Sequence, residues 1–154
     1  YLMNRKLVDY IGNWQSVLSY NDDTEYFAKA LLSADVIVNV PESMSLYRRG
    51  NIHSLGSRRD KKAIESEYLS YRYLETAMLR NDRSIRTREA IAALYARYIF
   101  RLYPKFRIYR AMAEYRISEM DVLPKRNYFN KRSAKISKIT GWSLLKLIRA
   151  AFVR

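Results

Sequence analysis

Two stretches of the chain bring chemically capable side chains close together. The first is Asn21-Asp22-Asp23-Thr24-Glu25-Tyr26-Phe27. Acidic residues after an Asn signal a helix start, and the free N–H groups there favour an ionised carboxylate. Asp22 or Asp23 held in this way could take a proton from an attacking hydroxyl, the work of a general base. Plain capping accounts for the same residues, and on local pattern it is the commoner meaning of such a cluster. The second stretch is Tyr47-Arg48-Arg49-Gly50-Asn51-Ile52-His53-Ser54-Leu55. Arginine pairs phosphate oxygens bidentately, so Arg48 and Arg49 could clamp a diphosphate. His53, the only histidine, could supply one ligand to a divalent metal whose carboxylate ligands lie elsewhere. A solvated basic loop is the plainer alternative.

Other groupings carry less. Arg58-Arg59-Asp60-Lys61-Lys62 places cations at a helix start, where the macrodipole disfavours them, so the cluster serves a binding surface or is solvated. Tyr68/Tyr71 and Tyr95/Tyr98 read as helix-packing positions rather than base-stacking platforms. Glu65-Ser66-Glu67 imitates an acidic metal motif, but residues two apart on a helix diverge. With no Cys there is no disulfide, thiol nucleophile or thiolate zinc site. Dinucleotide-binding glycine motifs, a Walker loop, a zinc-protease motif and a serine triad are all missing from the sequence.

The elements that must position these residues change character along the chain. Met3 to Ile11 places Leu7, Tyr10 and Ile11 on one helical face, with Gly12 as C-cap. Gly12-Asn13-Trp14 is a turn that delivers an aromatic anchor, and the acidic stretch opens a helix running to about Ser33. Val36-Ile37-Val38-Asn39-Val40, ending at Pro41, predicts a short buried strand, and Met44 to Arg48 a second. Arg49 to Ser57 reads as a loop. Beyond it the spacing predicts three helices. Their faces are Ile64, Tyr68, Tyr71, Leu74 (or Glu75) and Met78; then Ile91, Leu94, Tyr95, Tyr98, Ile99 and Leu102; then Phe106, Tyr109, Met112, Ala113, Ile117 and Met120. Asn81-Asp82-Arg83-Ser84 breaks the first, and Tyr103-Pro104 ends the second. Leu123 to Thr140 is basic and poorly periodic, and Gly141-Trp142 opens a last amphipathic stretch.

Composition sets the bounds. The 154 residues are 49% hydrophobic and 29% charged, which excludes wholesale disorder. Only 4 Gly and 3 Pro argue against phosphate-cradling glycine loops and turn-dense sandwiches. The longest apolar run, Ala90 to Ala96, is far short of the roughly 18 residues of a transmembrane helix, and no signal-peptide pattern is visible. The net charge of +14 is unevenly placed. Residues 1–104 carry 16 basic and 12 acidic side chains, whereas 105–154 carry 13 and 3. Such a tail attracts a polyanion, either nucleic acid or an anionic membrane surface.

Taken in order, Leu2-Met3-Asn4-Arg5-Lys6-Leu7-Val8, Gly12-Asn13-Trp14, Asn21 to Phe27, Val40-Pro41-Glu42 and Tyr47-Arg48-Arg49 closing on Ser54-Leu55 resemble the C-terminal half of family-2 glycosyltransferases. These are inverting enzymes of the GT-A type. The resemblance implies an α/β fragment over 1–57, the end of a Rossmann-like catalytic domain with about two short strands. A helical extension over 58–122 and a basic tail over 123–154 would follow, making the chain mainly helical overall. It further implies that Asp23 is the general base, with Asp22 where the family usually has Glu. Trp14, Tyr47, Arg48, Arg49, His53 and Ser54 would line the substrate site. The implied partners are a nucleotide-sugar donor and a glycan or lipid-linked acceptor. The implied cofactor is Mg or Mn, held mainly by an Asp-x-Asp motif. No Asp-x-Asp occurs here, and the chain opens on Tyr1 rather than Met. The donor-binding half and the main metal ligands are therefore expected upstream, and this piece alone is expected to be inactive.

The implied location is cytoplasmic, peripheral on the inner face of the cell membrane if the tail meets lipid. The rival reading is a non-enzymatic basic helical module for nucleic acid or an anionic surface. Nucleic acid fits less well, because the basic residues interleave with apolar faces and no nucleic-acid motif is present.

Overall fold

The computed structural model describes residues 2–46 and 58–122. Five helices account for most of them: α1 (Arg5–Ile11), α2 (Asp22–Ser33), α3 (Lys61–Asn81), α4 (Ile85–Leu102) and α5 (Arg107–Glu119). The chain is mainly helical, as its periodicities predict. It divides into two compact units, Tyr1–Asn81 and Asp82–Arg154. The first unit thus includes α3, beyond the division expected at 57/58, because α3 packs against α2.

Helix ends follow local chemistry. Asn4 accepts the Lys6 N–H at 2.9 Å to start α1, and Gly12 at φ 73° returns its N–H to the Val8 carbonyl to end it. That positive φ is what requires glycine there. At the start of α3, Asp60 Oδ1 accepts the Ala63 N–H at 2.9 Å. The Arg58 guanidinium grips the same carboxylate through two bonds, of 2.9 and 3.2 Å. One of the cations that the macrodipole disfavours is thereby paired with the capping acid. Ser84 caps α4 by accepting the Thr87 N–H at 3.3 Å, and Asp82 accepts from the Ser84 N–H, the Ser84 hydroxyl and the Thr87 hydroxyl.

In the second unit α4 and α5 form an antiparallel hairpin. Ile91, Ala92, Tyr95, Tyr98, Ile99 and Leu102 are buried on α4, and Ala113 and Met120 face them from α5 and its end. Tyr95 and Tyr98 are therefore packing residues. Arg110 closes the turn by donating to the Lys105 and Pro104 carbonyls at 3.0 and 3.2 Å, with its guanidinium 4.9 Å from the Tyr103 ring centroid. At the open end, Arg88 of α4 donates to the Met120 carbonyl at 3.3 Å.

Three expectations need correction. The predicted buried strand Val36–Val40 has no regular secondary structure, and Val36 and Val38 are each 76% exposed. Met44 and Leu46, in the predicted second strand, are exposed as well. No strand occurs among the described residues. β-Branched side chains favour an extended backbone, but a strand also needs a neighbour for its N–H and C=O groups, and burial needs a second layer. Met112, assigned to the packed face of α5, is exposed too. The segment 47–57 and the tail 123–154, with its expected final helix, lie outside the described residues.

Two measurements check this account. Ile91 is fully buried, so Ile91→Ala should cost about 2–5 kcal/mol in urea unfolding. The hydroxyls of Thr87 and Ser84 hold the Asp82 carboxyl below the ordinary aspartate range, as the Arg58 guanidinium does for Asp60. A carboxyl lowered on folding stabilises fully above its unfolded value of about 3.9, and the contribution fades as pH falls through the folded value. The stability gap between the protein and Asp82→Asn should therefore narrow below about pH 4. A constant gap down to about pH 2 would show that Asp82 acts otherwise.

Candidate functional site

The site begins with the chain that enters α2. Ser66 on α3 accepts the Ser19 and Tyr20 N–H groups at 2.9 and 3.0 Å, and its own hydroxyl donates to the Tyr20 carbonyl at 2.8 Å. Ser70, one turn further along α3, accepts from the Asn21 side-chain amide at 2.6 Å. Asn21 is left-handed at φ 61°, a conformation that Asn tolerates better than most residues. Its amide oxygen accepts the Thr24 hydroxyl at 2.8 Å. Asn21 therefore stands at the cap position of α2 without capping a backbone N–H through its side chain; its amide is committed to α3 and Thr24.

Asp22 and Asp23 then occupy the first turn of α2. Asp22 is half-buried and Asp23 exposed. Asp23 Oδ1 accepts the Thr24 N–H at 2.7 Å, so one oxygen is steadied by the helix start. Both carboxylates lie in the positive field of that terminus.

Trp14 sits one turn below them. Its ring stacks on Tyr26, with centroids 4.3 Å apart and planes 6° from parallel, and it meets Phe27 edge-on at 5.8 Å. Tyr26 and Phe27 follow Asp22 and Asp23 by four residues, so each ring shares a helix face with one carboxylate. Lys29 completes the arrangement. Its ammonium lies 3.3 Å from Glu25, 3.4 Å from the Asn13 carbonyl and 5.6 Å from the Tyr26 ring centroid. Glu25 is only 3% exposed, and its second oxygen has no hydrogen-bond partner, which makes Lys29 its principal compensation. The Gly12-Asn13-Trp14 turn is thus fastened to α2 by a stack, a carbonyl contact and a cation over a ring.

Of the predicted site residues, Trp14, Asp22 and Asp23 are brought onto one helix and its flanking turn. Tyr47, Arg48, Arg49, His53 and Ser54 lie outside the described residues. Among the described residues no group of three His, Cys, Asp or Glu side chains could hold a metal ion. Asp22 and Asp23, adjacent on a helix and steadied by its backbone, are not a divalent-metal site by themselves. Glu25, Lys29, Ser66 and Ser70 were not singled out from sequence. The Glu25–Lys29 pair is legible as an i,i+4 salt bridge in the favourable order. Ser66 and Ser70 form a polar i,i+4 stripe, but their partners, 46 to 49 residues away, leave no local signal.

No protein-family model matches the sequence. Neither a curated protein nor a solved structure matches it.

Ser66→Ala would remove one hydrogen-bonding partner of two part-buried backbone N–H groups and one carbonyl. It should cost about 1–3 kcal/mol in thermal or urea unfolding and speed amide exchange at Ser19 and Tyr20. Unchanged exchange there would show that the α2 approach is held by other contacts.

Proposed function

We propose that this chain is the C-terminal part of an inverting family-2 glycosyltransferase catalytic domain followed by a helical extension, with Asp23 as its general base. The observation that carries the reading is an exposed Asp23 in the first turn of a helix to which the preceding Trp turn is stacked. The order of the flanking segments supports the same reading. So does the exposure of the Asp23 carboxylate, because a base for an incoming hydroxyl must be reachable from solvent.

The chemistry is a single displacement. The Asp23 carboxylate accepts the proton of an acceptor hydroxyl as that oxygen attacks the anomeric carbon of the donor sugar. The bond from that carbon to the diphosphate oxygen breaks, and its electron pair leaves with the nucleotide diphosphate, so the configuration at carbon inverts. Asp22 adds negative potential beside the base, and Trp14 braces the helix that carries both. Arg48 and Arg49 are the residues proposed to pair with the departing diphosphate.

The test is a transfer assay on the full protein, supplied with a panel of nucleotide-sugars and hydroxyl acceptors and read as released nucleotide diphosphate. Asp23→Asn should lower turnover by about 10²–10⁴ while leaving donor affinity nearly unchanged. Turnover equal to that of the unsubstituted protein would remove Asp23 from the mechanism.

A further inference from the structure

The Trp14 ring has two faces, and the fold uses one. Tyr26, itself buried, lies parallel against the indole, and Phe27 meets it edge-on. Trp14 nevertheless remains 44% exposed. With Tyr26 on one face, that exposure belongs to the opposite face and the rim. The indole N–H donates to none of the described residues. Side chains on a helix lean toward its N-terminus, so the Tyr26 ring and the indole stacked on it stand beside the first turn of α2, where Asp22 and Asp23 lie. One turn is about 5.4 Å, the scale of a single hexose ring. Asn13 and Ser16, on either side of Trp14 in the chain, are exposed as well.

We infer that the open face of Trp14 is a platform for a neutral sugar ring of the acceptor, whose hydroxyls donate to the carboxylates of Asp22 and Asp23. A pyranose has a face of C–H groups that packs on an aromatic plane and a rim of hydroxyls that bond to carboxylate oxygens. Both features are met by one ring and one helix turn. The inference rests on the transferase reading for the use made of the sugar, since a hydroxyl of the stacked ring is the one that Asp23 deprotonates. It names the acceptor class as a glycan.

Charge selects against the other ligands an indole takes. A nucleotide base would stack equally well, but its phosphates would stand beside two carboxylates, and like charges held close are unfavourable. Lys29 does not offset them, because its ammonium is committed to Glu25 and the Asn13 carbonyl. The donor's diphosphate is disfavoured here for the same reason, which leaves the position to the acceptor. A quaternary ammonium suits the charge, but its recognition uses rings on several sides. Here Tyr26 and Phe27 both belong to the helix behind the indole.

Nuclear magnetic resonance on the full chain, without donor, tests it with cellobiose, lactose and chitobiose as probes. At least one of them should shift the Trp14 indole N–H signal saturably while the Trp142 indole stays in place, with saturation passing to the C–H protons of one sugar face. Trp14→Ala should weaken that binding about tenfold or more, and Trp14→Phe, which keeps a ring on Tyr26, should restore most of it. Asp23→Asn keeps a side-chain oxygen and should still bind the probe. If Trp14→Ala loses the helical circular-dichroism signal, the indole shift and the face-selective saturation in the unsubstituted protein decide alone. Sugar binding at Trp14 by a protein that releases no nucleotide diphosphate would sink the transferase reading and leave the platform standing. Turnover with an acceptor KM indifferent to Trp14→Ala would do the reverse. The inference is overturned if no probe moves the Trp14 signal, if only Trp142 responds, or if a folded Trp14→Ala binds as the unsubstituted protein does. It is equally overturned if tetramethylammonium or uridine monophosphate moves the Trp14 signal and the sugars do not.

Discussion

Ser66 Oγ makes three hydrogen bonds to two consecutive residues of the chain that enters α2, and Ser70 takes a fourth from Asn21. This small polar contact governs the first unit. It satisfies backbone groups that would otherwise be stranded as the chain turns into the helix, and it commits the Asn21 amide to α3. With Asn21 so held, Asp22 and Asp23 start α2, and Tyr26 and Phe27 present the surface on which Trp14 rests. Two serines on the buried side of α3 thus set where the carboxylates of the candidate site stand. Each unmet backbone group would cost about 1–3 kcal/mol, comparable to losing a buried methyl group or two.

The second unit is organised by apolar packing rather than by polar pinning. Two tyrosines, two isoleucines, two alanines and a leucine on α4 are buried, and α5 meets that face through small and flexible side chains such as Ala113 and Met120. The ends of the hairpin are closed by arginines donating to carbonyls, Arg110 at the turn and Arg88 at the opposite end. Long basic side chains here satisfy backbone carbonyls at the two ends of the hairpin. Some of the positive charge thus has a structural task, and nine further Lys and Arg follow Val122 with no acid among them.

The functional reading rests on different ground in different parts of the chain. Asp23 stands exposed in the first turn of α2, and the stacked Trp14 turn gives that helix a firm footing. The arginines proposed to pair with the diphosphate belong to the segment 47–57, where the supporting argument is the order of residues.

Much of the local structure was legible from residues alone. Gly12 ended α1, Asp22 and Asp23 opened α2, Asn81 to Ser84 separated α3 from α4, and Tyr103-Pro104 closed α4, because caps and breakers act within four residues of themselves. The placement of Asp22 and Asp23 at a helix start was legible for the same reason. What needed tertiary structure was every question of partners. Val36 to Val40 had the composition of a buried strand, but strand pairing and burial depend on neighbours, and the residues stand exposed. Ser66 and Ser70 looked like ordinary polar positions until their partners 46 to 49 residues away came within bonding distance. The periodicity of α5 marked its apolar residues without saying which stripe α4 would cover. Helix formation is settled by short-range hydrogen bonds and propensities, whereas burial depends on contacts between residues far apart in the chain, and only the folded arrangement selects among them.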